Sequence, residues 1–419
     1  MSSVNQRPVS RRSSATVFYS LAIGSGVMRT LSVVFDVVAI NTIDIHPLVY
    51  GFLSQWVSFL VTISLVAFLS IRRTAHGRRQ SLGYDLDPDF DRIRLLPKKP
   101  MIYLVISGVF AGISTLSYYI LSGSSNASSM LPYGQLVIIY LLLGDLIAEK
   151  DTPTIIEIQS IVSILFGVLL IGSTPGGFDI NALLIVLGPM NISSAFVTYY
   201  QRKTKRYEIR PGLRVDSLNM RIWSLLVLNS VMSLLVLPMM PPNSFDVMIQ
   251  LFIPLFWMVF GSSVTIFLAL VMYVRALGKG SMSVVNSLSA ISVVLGVPVT
   301  LIGNMILPGG FGVVQSDPFM WVLTIIGIIM VMIGIVALQA SEVRSIVIIN
   351  VKPQTGDLLP QLFDIKGVQR AAALAGTHDY ILTIKSRTLA KTDSMVLKKI
   401  QKIPGIEHIE TLVVMREHR

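Results

Sequence analysis

From residue 16 to residue 340, apolar runs of about 20 residues follow one another with short polar breaks, the length a helix needs to cross roughly 30 Å of hydrocarbon. The pattern predicts ten spans, at approximately 16 to 40, 48 to 71, 101 to 122, 127 to 148, 154 to 173, 180 to 201, 221 to 240, 248 to 274, 281 to 305 and 319 to 340. After residue 343 the texture changes. Short alternating segments and charged helical stretches replace the long apolar runs, so a separate soluble domain is expected. The predicted organisation is a tail over 1–15, two helical halves over 16–173 and 179–340, and a terminal domain over 343–419.

The terminal domain reads as βαββαβ. Ser345 to Val351 alternates around Ile346, Ile348 and Asn350 like a strand; Thr355-Gly356-Asp357 starts a helix with Pro360 in its first turn. A strand follows Gly367-Val368, and the turn Gly376-Thr377-His378-Asp379 leads into another at Tyr380 to Ile384. A second helix carries Leu389, Val396, Leu397 and Ile400 on one face, and Pro404-Gly405 opens a last strand running to Met415. Ile365-Lys366-Gly367-Val368 and Ile403-Pro404-Gly405-Ile406 repeat one another, as two strand–helix–strand halves of a ferredoxin-like sheet would.

Composition agrees with a membrane protein: 53% of residues are hydrophobic, 14% are charged, and the mean hydropathy is +0.69. The net charge of +11 would suit a nucleic-acid binder, but its placement argues otherwise. Arg72, Arg73, Arg78, Arg79, Arg92, Arg94, Lys98 and Lys99 fall in 72–100, and seven more basic residues lie between Arg202 and Arg221. The alternate loops hold no Lys or Arg and instead carry Asp44, Asp179, Asp246 and Asp317. That asymmetry predicts both termini, the basic loops and the terminal domain on the cytoplasmic side of the cell membrane, with no nucleic-acid partner. There are no cysteines, which excludes disulfides, zinc–thiolate sites and thiol catalysis. The polar start with Arg7, Arg11 and Arg12 lacks a small-residue cleavage site, so the first apolar run is expected to be a retained span.

Two connections match one another: Ile120-Leu121-Ser122-Gly123-Ser124-Ser125 before the fourth span, and Ala276-Leu277-Gly278-Lys279-Gly280-Ser281 before the ninth. Each leads into a Ser-rich helix start and a final helix, the latter ending in residues 167–171 or 334–338. Five spans separate equivalent positions, so the halves would lie in opposite orientation, the inverted repeat of many secondary transporters. With Gly144-Asp145-Leu146-Ile147-Ala148-Glu149-Lys150-Asp151-Thr152 leading into a fifth helix closing on Gly167-Val168-Leu169-Leu170, this part resembles the EamA-type drug/metabolite transporter superfamily. Asn304 and Met305 stand where that superfamily often has an acidic residue. The resemblance implies an exporter of small metabolites, amino acids included, without fixing the substrate.

Two ionisable residues stand out at mid-span, where a charge costs about 2.5 to 3.5 kcal/mol on insertion scales. Arg29 lies near the middle of the first span and Asp36 two turns further on, on the same face and about 10 Å along the axis. They read either as an anion anchor and an amine or proton site, or as charges paired with other helices for structure. Gln55, Tyr133, Gln135, Asn191 and Asn286 complete a candidate substrate pathway, each with the plainer alternative of a helix-to-helix hydrogen bond. Pro132 is expected to kink its helix beside Tyr133 and Gln135. No catalytic motif, cofactor motif or metal-ligand spacing is found, so neither an enzyme nor a resident cofactor is expected.

The βαββαβ order, with Gly376-Thr377-His378-Asp379-Tyr380 and Ile403-Pro404-Gly405-Ile406-Glu407, resembles the effector-binding (RAM) domain of Lrp/AsnC-type regulators. The resemblance implies pairing through the sheets into a homo-oligomer and an amino-acid-like effector near Gly376, Thr377, His378 and Asp379. The DNA-binding segment of such regulators has no counterpart, because the tenth span precedes the domain. Two functions stay open: a small-molecule transporter regulated by a sensing domain, and a membrane-tethered amino-acid sensor that transports nothing.

Overall fold

A computed structural model describes residues 12–43, 45–75, 78–122, 127–147, 155–171, 173, 180–211, 213–311, 317–340, 343–353, 356–363, 365, 368–386, 400–401 and 403–413. The chain divides into two compact units, one of residues 1–144 with 161–335 and the other of 145–160 with 336–419.

The first unit is built from helices. In chain order they are α1 (Arg12–Ile43), α2 (Pro47–Leu69), α3 (Lys98–Ser122), α4 (Ala127–Gln135), α5 (Val137–Ile147), α6 (Ile155–Ile171), α7 (Ile180–Ile185), α8 (Asn191–Lys205), α9 (Ser217–Val236), α10 (Ser244–Leu277), α11 (Met282–Ser289), α12 (Ile291–Ile306) and α13 (Pro318–Ala340). Local chemistry sets several starts. Pro47 opens α2 where its missing N–H is not needed, and His46 Nδ1 accepts from Leu48 N. Asp216 caps α9 by accepting from Asn219 N at 2.7 Å.

Seven helices among the described residues are long and apolar enough to cross a membrane: Thr16–Ile43, Pro47–Leu69, Lys98–Ser122, Ser217–Met239, Ser244–Leu277, Met282–Ile306 and Pro318–Ala337. The other three predicted spans coincide with interrupted or shorter helices. The fourth breaks at Leu136 between α4 and α5, one turn after Pro132, as the kink argument expects. The fifth gives α6, and the sixth is split by a π-helical turn at Val186–Met190, where Gly188 leaves helical geometry beside Pro189. That Gly-Pro pair was a breaker signal which the apolar run concealed.

On α10, Ile249, Ile253 and Trp257 recur every four residues and are 76%, 82% and 74% exposed. A stripe of large apolar side chains facing outward inverts the pattern of a water-soluble helix and suits a lipid surface. Inside, small residues bring helices close. A Cβ on Gly51 of α2 would strike the Tyr119 ring of α3, and one on Gly108 of α3 would strike Val227 of α9. The main helix contacts come in matched sets: α1 on α10 and α3 on α8, α2 on α10 and α9 on α3, with α2 packed on α9 between them.

The basic loops contain short hairpins absent from the sequence prediction, β1 (Arg72–Ala75) with β2 (Arg78–Ser81) and β3 (Glu208–Arg210) with β4 (Leu213–Arg214). In the second unit, β5 (Val343–Val351), α14 (Leu359–Phe363), β6 (Val368–Ala373), β7 (Tyr380–Ser386) and β8 (Ile406–Val413) follow the predicted order. The antiparallel sheet runs β6-β7-β5-β8, the ferredoxin-like arrangement of a first strand paired with the third and fourth. The buried face of β5 carries Val347 and Ile349, leaving Ile346, Ile348 and Asn350 on the more open side. The first helix of this domain starts at Leu359 rather than at Gly356, because Asp357 Oδ1 caps Leu359 N. The second predicted helix lies outside the described residues except at Ile400, which is buried in the domain's core.

Candidate functional site

Two adjoining cavities open within the first unit, of about 210 and 190 Å³. Arg29, Ser114, Thr115, Ser194 and Arg221 line both, so α1, α3, α8 and α9 contribute to one continuous polar space. The first cavity extends to Thr198, Gln201, Tyr273 and Asn286; the second extends to Asp36, Gln55, Tyr118 and Tyr119.

The wall hydroxyls are largely occupied by their own or neighbouring helices. Ser114 Oγ reaches Met190 O at 3.0 Å and Ser194 Oγ at 2.7 Å, while Thr198 Oγ1 donates to Ser194 O at 3.0 Å. Asp36 is held through a single oxygen: Oδ1 accepts from Tyr50 Oη at 2.7 Å and from Ser262 Oγ at 2.8 Å. Tyr118 Oη lies near the same carboxylate.

The predicted pathway residues divide into two groups. Arg29, Asp36, Gln55 and Asn286 face the cavities. Gln135, Tyr133 and Asn191 are engaged between helices. Gln135 Nε2 donates to Ser292 Oγ at 3.2 Å and its Oε1 accepts from Asn286 Nδ2 at 3.0 Å, tying the break of α4 to α11 and α12. Asn191 Nδ2 donates to Tyr133 O of α4 and to Val186 O of the π-helical turn, tying the two together.

Arg221 escaped the sequence reading, which counted it with the basic loop. The signal was present in Asp216, whose capping places Arg221 inside α9 and therefore within the bundle. The Asp-rich run Asp85, Asp87, Asp89 and Asp91 within the basic loop was a second overlooked signal. Lys205 Nζ sits 2.8 Å from Asp87 and 3.1 Å from Asp89 and also donates to Val215 O. Ser217 donates to Asp87 from both its amide and its hydroxyl. Arg94 pairs with Asp216 at 3.2 Å, and Asn219 Nδ2 donates to Arg92 O. The two basic loops are thereby joined. Burial alone would raise the Asp87 carboxyl, but the Lys205 ammonium and the hydrogen bonds from Lys205 and Ser217 outweigh it and hold the group below its ordinary range. Asp216 goes the other way: burial raises it, against the hydrogen bonds from Asn219.

In the terminal domain, Gly376 and Thr377 are exposed and a Cβ on Gly376 would meet nothing within 4 Å. Asp379 Oδ2 accepts from Val351 N at 2.7 Å, and its amide donates to Ile349 O, stitching the turn to β5. His378 Nδ1 lies 3.0 Å from Asn350 Oδ1.

The family model described as the Lrp/AsnC ligand binding domain matches residues 345–419. No curated protein matches the chain. One solved structure, described only as the crystal structure of a protein, covers 78% of this chain and 96% of its own with a TM-score of 0.50 at 15% identity. That likeness concerns the fold alone. The chain thus joins long apolar helices to a small-molecule-binding regulatory domain.

Proposed function

We propose that the chain is a secondary transporter of small metabolites, amino acids among them, whose cavity is the substrate site and whose terminal domain gates transport on binding an amino-acid-like effector. The observation that carries this reading is the polar cavity lined by Arg29, Asp36 and Arg221 within apolar helices, in a chain that also holds a ligand-binding domain. Charged groups kept inside apolar helices around a space mark a solute path more readily than a structural bundle. The EamA-type resemblance points the same way. No catalytic step is part of the proposal.

The ten-span inverted repeat over 16–173 and 179–340 finds support in the packing. Exchanging the first three spans with the sixth to eighth turns the α1–α10 contact into α8–α3, turns α2–α10 into α9–α3, and leaves α2–α9 unchanged. The breaks at Leu136 and Ala290 fall at corresponding places in the fourth and ninth spans. Parity adds a third argument. The basic loops touch, so an even number of crossings must separate them, and α3 alone would place them on opposite sides. Further crossings among α4–α5, α6 and α7–α8 restore agreement. By the distribution of basic residues, those loops, both termini and residues 343–419 lie in the cytoplasm. The open face of the terminal sheet, with Ile346, Ile348 and the exposed Leu412, is suited to pairing with a second copy.

Reconstituted vesicles loaded with a labelled metabolite panel test the reading. We expect flux of at least one solute, altered by an amino acid that binds the terminal domain. Effector binding without flux of any solute would identify the tethered sensor instead.

A further inference from the structure

We propose that the cavity selects its substrate by negative charge, Arg29 and Arg221 together holding a carboxylate or phosphate group. The inference rests on the transport reading and names its substrate class. Arg29 comes from α1 and Arg221 from α9, and both line both cavities. Among the described residues neither guanidinium has an ion pair or a side-chain hydrogen bond, and Arg221 Nε is buried with no partner.

The charge balance of the wall points the same way. Among the described residues Asp36 is the one acidic residue that lines the cavities, and its Oδ1 is already occupied by Tyr50 and Ser262. Two guanidinium groups therefore face one engaged carboxylate, and the space is electropositive. Unpaired cations within apolar helices are costly, and this fold supplies partners elsewhere: Lys205 and Arg94 each have their carboxylates. A guanidinium presents a planar fork of donors that matches carboxylate and phosphate oxygens two at a time, so two of them around one space complement an anion rather than a neutral solute.

The test uses the full chain in detergent, its unfolding midpoint followed during titration at matched ionic strength with inorganic phosphate, succinate, L-lysine or putrescine. We expect a saturable rise with phosphate or succinate and none with putrescine. Arg29→Gln and Arg221→Gln should each weaken the response about tenfold or more, as loss of a charged hydrogen bond would. Arg221→Lys, which keeps the charge and guards against misfolding, should be intermediate. A response to phosphate alone assigns a phosphorylated substrate, and one to succinate alone a carboxylate. Binding of putrescine without either anion, silence toward both anions, or an anion response that survives both glutamine variants overturns the inference. Flux separates it from the broader reading. Putrescine crossing without anion binding would defeat anion selection and keep transport; anions that bind but never cross would do the reverse.

Discussion

The cluster around Asp87 and the cavity around Arg221 are built from the same residue types within one helical unit, yet they differ in one respect. Around Asp87 the charged groups have opposite partners: Lys205 lies between Asp87 and Asp89, Arg94 pairs with Asp216 although its Nε stays without a partner, and Ser217 and Asn219 donate to the carboxylates. In the cavity the guanidinium groups of Arg29 and Arg221 have, among the described residues, no opposite charge paired with them. The first arrangement holds two loops together. The second leaves donors facing an open space. Buried polar groups are ordinarily satisfied, so a local excess of open donors beside a filled network marks where folding and function make different demands.

The sharpest way to break this comparison is to remove one partner on the satisfied side. The side chains of Lys205 and Asp87 are only 7% and 2% exposed, so Asp87→Ala takes the nearer carboxylate from a buried ammonium, leaving it Asp89 and the Val215 carbonyl, and removes the acceptor of both Ser217 donors. Loss of one partner of a buried pair costs about 3–5 kcal/mol, and we expect a fall in thermal stability of that order for the detergent-solubilised chain. A loss below about 1 kcal/mol would mean the cluster is solvated and the contrast with the cavity is void.

On the open side the sign should reverse. Arg221→Gln removes a charge without a partner, so stability should stay within about 1 kcal/mol of the parent or rise, measured by the same unfolding transition. A loss as large as that of Asp87→Ala would place Arg221 in a structural network.

Acid sharpens the comparison further. Asp87 is held below its ordinary value of 3.8, so its contribution is complete above that value and is lost as pH falls through the lower, folded one. Asp216 is raised above 3.8; its ionised form is the less favoured one in the fold, and its contribution grows as pH falls through the raised value. Asp87→Asn should therefore flatten the loss of stability below about pH 4, whereas Asp216→Asn should abolish a relative gain that the parent shows above that value, as pH falls toward it, both read from unfolding midpoints across the acid range.

Legibility followed the physics of each region. Long apolar runs announce membrane helices, and the alternation of Val347 and Ile349 with their neighbours announces a strand, because burial alone sets both patterns. The break at Leu136 was legible through Pro132; the one at Gly188 was hidden inside an apolar run. Arg29 and Asp36 stood out as lone charges, whereas Arg221 was masked by neighbouring basic residues, and only the Asp216 cap shows that it enters the bundle. Pairings such as Lys205 with Asp87 join positions far apart in sequence, and nothing local specifies them. Gln135 and Asn191 looked like pathway residues because the residue type cannot distinguish a side chain facing a cavity from one bonded to a neighbouring helix.

The same distinction can be carried to the terminal domain, where the expected effects are smallest. Asp379 is engaged, its Oδ2 accepting from Val351 N, so Asp379→Ala should cost about 1–3 kcal/mol locally and raise hydrogen exchange at the Val351 amide. Gly376 is open. A methyl there meets nothing within 4 Å, and Gly376→Ala should leave stability within about 0.5 kcal/mol. If the exposed turn receives the effector, that same methyl should weaken effector binding to the full chain, since the ligand would be the one neighbour to meet it. Unchanged affinity in Gly376→Ala would move the effector away from the turn, and would leave Gly376 to Asp379 as the joint between β5 and β7.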